Sequence, residues 1–350
     1  MPDASPFLAQ LDDPARVFDA RPGGPEPCVL LLSRACDSDL DPVARLLAGA
    51  GVRTVRLNAE ELAATSLTVT ADGRSVRLNG RPLAPTVTWI RHFAPSAVTD
   101  DAYAVTDGSG TARGAFLRDS WSAAAGQLAA LAGTAIRPDR PGVLCQLRLA
   151  RRHGVAVPRT VLTTDPHLVR DAFDGPRVVV KAAHHHFVEP VPGRLHGIFP
   201  TVLDRAALTG GPRPGPPVLV QEYIEHEAEL RVYFVDGRLH AFEVGKADPA
   251  DPWTAPERLT VRALPSPPPE VAAATRSLAA ALDLRYGAFD FLTGAGAPVF
   301  LEVNPDGDWR WAERRAGGTP VTAAVAAMLA ALHRAAVRDL RVHGDRTRTA

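Results

Sequence analysis

Cysteine is scarce in this chain, and neither sign of charge is in excess. The three cysteines, Cys28, Cys36 and Cys145, are an odd number at no spacing typical of a metal site. Such a set fits a reducing compartment, so we expect a cytoplasmic protein. Basic and acidic residues number 39 each, which gives a formal net charge of zero. This balance gives no reason to expect nucleic acid or an anionic membrane as a partner.

Targeting segments and long apolar runs are also missing. No N-terminal segment combines a basic start, an apolar stretch and a cleavage-like end, so we expect no signal peptide. The longest apolar run lies within 321–332 and is too short and too alanine-rich to cross a bilayer, which takes about 20 residues. We therefore expect no membrane partner.

Motifs of several enzyme classes are absent as well. The chain contains no GxSxG, GxxxxGK(S/T), GxGxxG or CxxC motif, which removes most support for a serine hydrolase, a Walker-type ATPase or a dinucleotide enzyme. Its hydrophobic share of 46% and charged share of 22% are ordinary for a globular protein. With 350 residues, the chain has room for two or three domains.

Strand and helix patterns predict an α/β domain followed by two further units. The first unit has strand 28–34, helix 39–51, strand 52–58, hairpin 66–80, strand 86–93 and helix 116–133. The second has helix 146–154, strand 157–163, helix 165–173, strand 177–183 and strand 218–224. The third has hairpin 229–246, helix 269–282, a second hairpin across 285–309 and helix 319–337. Asp41 fits the cap of the first helix, and Asp236-Gly237 is a strong hairpin turn.

The hairpin near the C-terminus carries carboxylates in otherwise apolar strands. These strands read RYGAFDFL (285–292) and VFLEVNPDGDW (299–309). Because side chains alternate along a strand, we expect Phe300, Glu302 and Asn304 to share a face. With the right register, Asp290 joins Glu302 and Asn304, which gives a set of hard oxygen ligands suited to Mg²⁺ beside nucleotide phosphates. The alternative is that both carboxylates face solvent, since an unpartnered buried carboxylate would be costly.

Two cations stand on strands that could face this hairpin. Lys181 lies in or at the end of an apolar strand, where it either reaches an anion such as a phosphate or extends into solvent. Glu229, Arg231 and Tyr233 share one face of their strand. The Arg231 guanidinium can clamp phosphoryl oxygens through two contacts. The alternative is a cross-strand ion pair, worth little if it is exposed.

Several other residues are weaker candidates. Glu222 ends the run VLVQE, where it either serves an adenine or ribose or is a surface acid. We interpret the loop His184–His186 as lying over phosphates, because its adjacent histidines suit a zinc site poorly. Arg91 and His92 end a strand and are candidates to line the same cleft. Trp309, after the NPDGD turn, either closes the site or packs against the final helix.

The order of these features resembles the ATP-grasp ligases. It comprises a lysine-bearing strand, a Pro/Gly loop, a strand ending in glutamate, an ExR hairpin and the Asp…ExN pair. Within that superfamily, LRYGAFDFL…VFLEVNPDGDWRWAE (284–313) is most similar to the graspetide, or microviridin-type, maturases of ribosomal peptides. The segments VTWIRHF (87–93) and QLRLARRHGVAVPRTVLTTD (146–165) resemble earlier parts of the same enzymes.

This resemblance implies a fold and a domain division. The fold is α/β, with an α+β C-terminal part. It is an ATP-grasp fold with an N-terminal pre-ATP-grasp domain and a nucleotide bound between two subdomains. The implied segments are an N-terminal arm (1–27), a pre-ATP-grasp domain (28–133), a central subdomain (134–225), a C-terminal subdomain (226–338) and a flexible tail (339–350). Similar enzymes are often dimers, so the resemblance also allows a homodimer.

The resemblance implies roles for individual residues. The catalytic residues would be Lys181, which contacts the ATP phosphates, and Arg231, which binds the γ-phosphate and then the acyl phosphate. Further nucleotide contacts would come from His185, Gln221, Glu222, Tyr223, Ile224 and Glu229. One or two Mg²⁺ ions would be held by Asp290, Glu302 and Asn304.

The implied reaction is ATP-dependent, ADP-forming ligation through an acyl phosphate, which joins a carboxylate to an amine or hydroxyl of a precursor peptide. The chain departs from the usual pattern at Val143, where relatives carry a lysine, and in the histidine loop 184–190. The histidine loop motivates a second hypothesis, ligation of a free amino acid to an amino acid or peptide end. Val143 motivates a third, a nucleotide- or peptide-binding protein without turnover.

Overall fold

Four β-sheets organise the part of the chain that the computed structural model describes. The described residues are 25–72, 75–95, 110–131, 133–136, 141–183, 187–191, 194–197, 200–210, 215–246 and 258–346. The α-helices among them are α1 (Leu40–Gly49), α2 (Gly110–Leu131), α3 (Val143–Arg152), α4 (Pro269–Ala281), α5 (Arg310–Ala316) and α6 (Pro320–Arg346). Short 3₁₀ helices span Ala59–Ala64, Pro166–Ala172 and Arg205–Ala207.

The strands fall into three consecutive groups. The first comprises β1 (Glu26–Ser33), β2 (Thr54–Asn58), β3 (Leu67–Val69), β4 (Val76–Leu78), β5 (Arg81–Ile90) and β6 (Thr134–Ile136). The second comprises β7 (Thr160–Thr163), β8 (Arg177–Ala182), β9 (Phe187–Val191), β10 (Arg194–Gly197), β11 (Thr201–Asp204) and β12 (Val218–Glu222). The third comprises β13 (Ala228–Val235), β14 (Arg238–Lys246), β15 (Leu259–Leu264), β16 (Tyr286–Thr293) and β17 (Val299–Asn304).

The N-terminal sheet is built around β1 and β5. Strands β2, β1, β5 and β6 run parallel, while β4 and β3 extend the first half of β5 as an antiparallel hairpin. Alternate residues of β1 face two different layers. Leu30 packs in a cluster with Leu128 of α2, whereas Leu31 packs in a cluster with Leu47 of α1 and with α6. The near-continuous apolar run of β1 follows from this burial on both faces.

The central sheet has the antiparallel order β11-β8-β12-β7, and β9 pairs with β10 in a separate two-stranded sheet. One face of the central sheet holds a small core that includes Val178 and Val220. Lys181 lies directly opposite Leu219 in the β8–β12 pair, at odd positions of the two strands. Because side chains alternate, Lys181 and Gln221 lie on the face away from that core.

The C-terminal sheet is fully antiparallel, in the order β15-β14-β13-β16-β17. One face packs through Val232, Phe289 and Phe291 against α3 and α4. The other face is covered for part of its length by α6 and the N-terminal sheet, through residues such as Tyr233 and Tyr286. The remaining part of this second face carries the charged residues of the candidate site.

A bulge in β17 overturns one sequence-based expectation. Asp290 pairs with Glu302, but the next residue, Phe291, pairs with Phe300, so the register shifts by one residue between them. The shift places Phe300 in the core with Phe291, at a ring separation of 5.5 Å, while Glu302 stays on the opposite face. The prediction that Phe300 shares a face with Glu302 is therefore wrong.

Two helix ends also differ from the predicted ones. Helix α1 begins at Leu40, so its N-cap residue is Asp39, and Asp41 lies within the first turn. Helix α6 continues to Arg346, beyond residue 338 where a flexible tail was expected to begin. The hairpin turn at Asp236-Gly237 is present as predicted, and both residues have positive φ, of 46° and 89°.

Helix α6 is more apolar than its sequence interpretation suggested. The stretch Pro320–Asp339 is long and apolar enough to cross a membrane by length and composition, and 44% of its most apolar window is buried in the protein. The helix packs against α1, β5 and β13, and Val325 and Leu329 lie in the largest core cluster. Its apolar side chains therefore fill the space between the N-terminal and C-terminal sheets.

Arg91 ties the N-terminal sheet to the loop that follows β17. Its side chain is completely buried and pairs with Asp37, with Asp39 at 3.3 Å and with Asp308 at 2.7 Å. Its guanidinium also donates to the carbonyl oxygen of Asp306 and lies 4.7 Å from the centre of the Trp309 ring. Three carboxylates around one guanidinium explain how a permanent charge is tolerated in this interface.

Asp39 completes this junction from α1. Its carboxylate accepts a hydrogen bond from the backbone N–H of Trp309, at the start of α5, over 2.8 Å. The N-terminal sheet and the C-terminal sheet are thus joined by charged contacts as well as by apolar packing.

Removing the Asp39 carboxylate should destabilise the protein far more than removing its exposed neighbour. We expect Asp39→Ala to lower the free energy of unfolding by about 2 kcal/mol, because it leaves the buried backbone N–H of Trp309 without its acceptor and removes one of the three carboxylates around Arg91. Asp41→Ala is the matched control, since Asp41 pairs with Arg56 at 2.9 Å on the surface and should cost less than about 1 kcal/mol. Urea denaturation measures both variants, and equal losses would contradict a buried role for Asp39.

Candidate active site

Asp290, Glu302 and Asn304 come together on one face of the C-terminal sheet. Asp290 lies directly opposite Glu302 in the β16–β17 pair, and Asn304 lies opposite Ala288, two residues along. All three side chains are half-buried. The face therefore offers two carboxylates and one amide oxygen, the donor set that Mg²⁺ accepts beside phosphates.

Arg231 lies beside this group on β13. Its Nη1 donates to both carboxylate oxygens of Asp290, over 3.0 and 2.9 Å. Burial raises the pKa of Asp290 to about 6, helped by the charges of Glu302 and Glu229 and opposed by Arg231. A further positive charge beside Asp290 would therefore stabilise its ionised form. The buried Nε of Arg231 has no hydrogen-bond partner among the described residues, so it is a donor suited to an anionic oxygen.

Lys181 brings a second cation from the central sheet. Its side chain is only 5% exposed, so the alternative of a strand-end lysine in solvent is excluded. The Nζ lies 3.6 Å from Oε2 of Glu302, across the space between the central and C-terminal sheets. This contact joins the two sheets at the position where a nucleotide was expected to bind.

A third charged contact on this face joins Lys246, at the end of β14, to Glu229 of β13. Glu229 is buried and its carboxylate contacts Nζ of Lys246 at 2.5 Å and Nε2 of His226 at 3.6 Å. Burial alone would raise the pKa of Glu229, but the hydrogen bond from His226 and the charge of Lys246 hold the pKa below its usual value. Lys246 was not among the residues singled out from the sequence. Lys246 lies two residues after Val244, which pairs with Glu229, so side-chain alternation places Lys246 and Glu229 on the same face of the sheet.

The residues expected around the adenine do not all share one face. The buried side chain of Gln221 donates to Oγ1 of Thr160 over 2.8 Å on the Lys181 side of the sheet. Glu222 lies at a position of opposite parity, and its carboxylate accepts from the backbone N–H of Arg159 over 2.9 Å. The Glu222 carboxylate thus anchors β12 beside the start of β7.

Tyr223 and Ile224 follow β12 and are half-buried. The ring of Tyr223 lies 4.1 Å from the guanidinium carbon of Arg177, and the carbonyl oxygen of Ile224 accepts from Nδ1 of His226 over 2.8 Å. This second contact links the end of β12 to Glu229 through His226. His185, together with His184 and His186, lies outside the described residues.

The loop from Asn304 to Trp309 is packed tightly against the site. A Cβ atom on Gly307 would come within 2.4 Å of Cβ of Ala288 and 3.0 Å of Nη2 of Arg231, so only glycine fits. Hydroxyl groups from the sheet below hold the loop backbone: Tyr286 donates to the carbonyl of Gly307, and Tyr233 donates to that of Asp308 over 2.6 Å.

The N-terminal sheet holds the same loop from its other side. His92 contacts Asp308 at 2.9 Å and Arg91 is buried beneath it, so these residues support the loop and Arg91 does not line an open cleft. The group formed by Asp37, Asp39 and Asp308 has the spacing of a metal site, but the guanidinium of Arg91 already contacts all three carboxylates. Sequence reasoning missed this arrangement because its parts come from distant segments.

Trp309 packs in the interface between the sheets. It is fully buried, stacks on Trp89 at a ring separation of 6.4 Å and donates from Nε1 to Thr322 of α6 over 2.9 Å. The packing interpretation of Trp309 therefore holds, and the interpretation as a lid does not.

Comparisons with known proteins find relatives by structure alone. No protein-family model matches the chain, and no curated protein matches it. The macrocyclase MdnC of Microcystis aeruginosa MRC, solved with the precursor peptide MdnA, superposes with a TM-score of 0.67 at 18% identity. The match covers 87% of this chain and 99% of MdnC.

Two further ligases give likenesses of the same kind. A RiPP-associated ATP-grasp ligase of Chryseobacterium gregarium, in complex with ADP and a leader and core peptide, has a TM-score of 0.68 at 19% identity, over 87% of this chain and 96% of that one. The D-cycloserine synthetase DcsG has a TM-score of 0.54 at 17% identity, over 88% and 99%.

Likenesses at these low identities bear on the fold. They extend over 87% of this chain and over almost the whole of each of the two peptide ligases. The sequence-based expectation is thereby confirmed at the level of architecture, and the chain has the ATP-grasp fold.

Proposed function

We propose that this chain is an ADP-forming ligase that joins a carboxylate to an amine or hydroxyl group of a ribosomally made peptide. The observation that carries the proposal is the face of the C-terminal sheet, where Asp290, Glu302 and Asn304 lie beside the cations Lys181 and Arg231. Solved neighbours of the same fold are bound to precursor peptides, which supports a peptide substrate.

The donor set fits a magnesium ion. Asp290, Glu302 and Asn304 would hold one or two Mg²⁺, whose charge would offset that of the ATP phosphates. Lys181 and the buried Nε of Arg231 are the donors for phosphate oxygens. Because both cations are largely withdrawn from water, their charges act more strongly on a developing negative charge than they would on the surface.

The proposed reaction has two steps. A substrate carboxylate oxygen attacks the γ-phosphorus of ATP, the bond to the bridging oxygen breaks, and ADP leaves an acyl phosphate behind. A lysine amine or a serine or threonine hydroxyl then attacks the acyl carbon, phosphate departs and the nucleophile loses a proton. Each new amide or ester bond thus costs the peptide one water. Exclusion of solvent protects the acyl phosphate from hydrolysis in between.

A second candidate function is ligation of a free amino acid or another small molecule. The likeness to the D-cycloserine synthetase DcsG favours it, since that enzyme shares the fold. Both functions use the same nucleotide site and differ in what supplies the carboxylate and the nucleophile.

We also propose a cytoplasmic setting, supported by three unpaired cysteines, of which Cys36 and Cys145 are exposed. A homodimer stays a prediction.

The mass of a processed peptide tests the proposed function directly. We expect a precursor peptide encoded beside this gene to lose one or more waters when incubated with the protein, ATP and Mg²⁺, because each macrocyclic link removes one water. Intact mass spectrometry reads the result. An unchanged peptide, with ADP appearing only after free amino acids are added, would replace this proposal by the second candidate.

Glu302→Gln should abolish ATP-dependent product, with turnover lower by about two orders of magnitude or more, because it removes one of the two negative charges that the site offers to Mg²⁺. Glu243→Gln is the matched control, since Glu243 lies on the opposite face of the same sheet and pairs with Arg262 at 2.9 Å. The control should keep wild-type turnover. Full activity in Glu302→Gln would remove Glu302 from the metal site.

A further inference from the structure

Lysine is almost absent from this chain, and the two that remain lie at the candidate site. The sequence contains two lysines and 37 arginines. Lys181 is 5% exposed, and the side chain of Lys246 is 9% exposed. Surface pairs such as Arg262–Glu243 and Arg56–Asp41 all use arginine. Where a plain ion pair is sufficient, this chain therefore uses a guanidinium.

The two lysines lie at the two ends of one line of charged residues. Lys246 contacts Glu229 at 2.5 Å, and Arg231, two residues after Glu229 on the same face of β13, contacts Asp290 at 2.9 Å. Asp290 lies opposite Glu302, which Lys181 approaches to 3.6 Å. Lys246 is thus part of the same charged face as the proposed metal ligands and lies at its far end.

We propose that Lys246 is a further anion-binding residue of the active site, whose ammonium contacts an anionic oxygen of the reactants while Glu229 holds it in place. The oxygen belongs either to an ATP phosphate or to the substrate carboxylate, and the inference rests on the proposed ligase function. An ammonium is a compact charge with three donors, so it can serve Glu229 and a reactant oxygen together.

A purely structural role explains Lys246 less well. A buried ion pair adds little net stability, so stability alone gives little reason to keep this pair. A guanidinium would pair with Glu229 equally well, as Arg231 does with Asp290 on the neighbouring strand. A contact that a planar guanidinium would not reproduce explains why this position carries lysine and not arginine.

Two variants of Lys246 separate these roles. Lys246→Arg keeps the pair with Glu229, and Lys246→Met removes the charge. We expect Lys246→Arg to retain the wild-type melting temperature within a few degrees and Lys246→Met to melt lower, because the second variant leaves the buried Glu229 without its lysine. Measured well below both melting temperatures, turnover of the precursor peptide should fall at least about tenfold in Lys246→Arg and further in Lys246→Met. Arg262→Met is the matched control, because it removes a cation from the edge strand of the same sheet and should leave turnover unchanged.

Binding measurements tell the two sources of the anionic oxygen apart. Calorimetric titration with Mg²⁺ and AMPPNP, without peptide, should show at least tenfold weaker binding in Lys246→Met if the oxygen is a phosphate oxygen. If the oxygen belongs to the substrate, nucleotide affinity stays unchanged and the KM for the precursor peptide rises or kcat falls.

Full turnover in Lys246→Arg would overturn the inference and leave the ligase function standing, since an ion pair alone would then be sufficient. The inference would also be overturned if the Lys246 variants lost activity only at temperatures at which they unfold and regained full activity on cooling. If the wild type shows neither Mg²⁺-dependent AMPPNP binding nor turnover with peptide or amino acids, the proposed function fails and this inference with it.

Discussion

A carboxylate withdrawn from water needs a positive partner, and the candidate site is built around that need. The face shared by β13, β14, β16 and β17 carries Asp290, Glu302 and Glu229, and each has a cation within contact distance. The pKa of Asp290 nevertheless lies near 6 because burial and the neighbouring carboxylates outweigh Arg231. The cluster of buried carboxylates, whose ionised forms gain from added positive charge, is what makes this face suited to a metal ion and to the chemistry of phosphates.

The same rule governs the contact between the domains. Arg91 is fully buried and is tolerated because Asp37, Asp39 and Asp308 surround it. Two of these carboxylates come from the N-terminal part of the chain and one from the loop after β17. The junction therefore fixes the position of a loop that begins at Asn304, one of the proposed metal ligands. Apolar packing by α6 and Trp309 supplies the bulk of the interface, and the charges give it one orientation.

Much of this architecture follows from local patterns. The βαβ start, the Asp236-Gly237 hairpin and the strands around Asp290 and Glu302 could be predicted because periodicity and turn chemistry act over a few residues. The face of Phe300 could not, since a bulge is decided by how β17 pairs with β16. The cap of α1 was misplaced for a similar reason: the Asp39 side chain serves Trp309 and Arg91, which lie far away in the sequence.

In the candidate site, too, some residues could be grouped from the sequence and others could not. Strand parity is enough to group Glu229 with Arg231, and Asp290 with Glu302 once the hairpin register is known. The buried ion pairs of Lys246 with Glu229 and of Arg91 with three aspartates could not be predicted, because their members come from different strands and loops. Glu222 was assigned to the nucleotide from its place at a strand end, and the structure engages its carboxylate with the backbone of Arg159.

The loop between Asn304 and Trp309 accepts hydrogen bonds from Arg91 of the N-terminal part on one side and from two tyrosines of the C-terminal sheet on the other. A domain that only delivered a substrate could be exchanged for another during evolution with no effect on the chemistry. Here an exchanged domain would have to bring its own equivalents of Asp39, Arg91 and His92. Replacement of the N-terminal sheet without these contacts would therefore leave this loop, and with it Asn304, without part of its support.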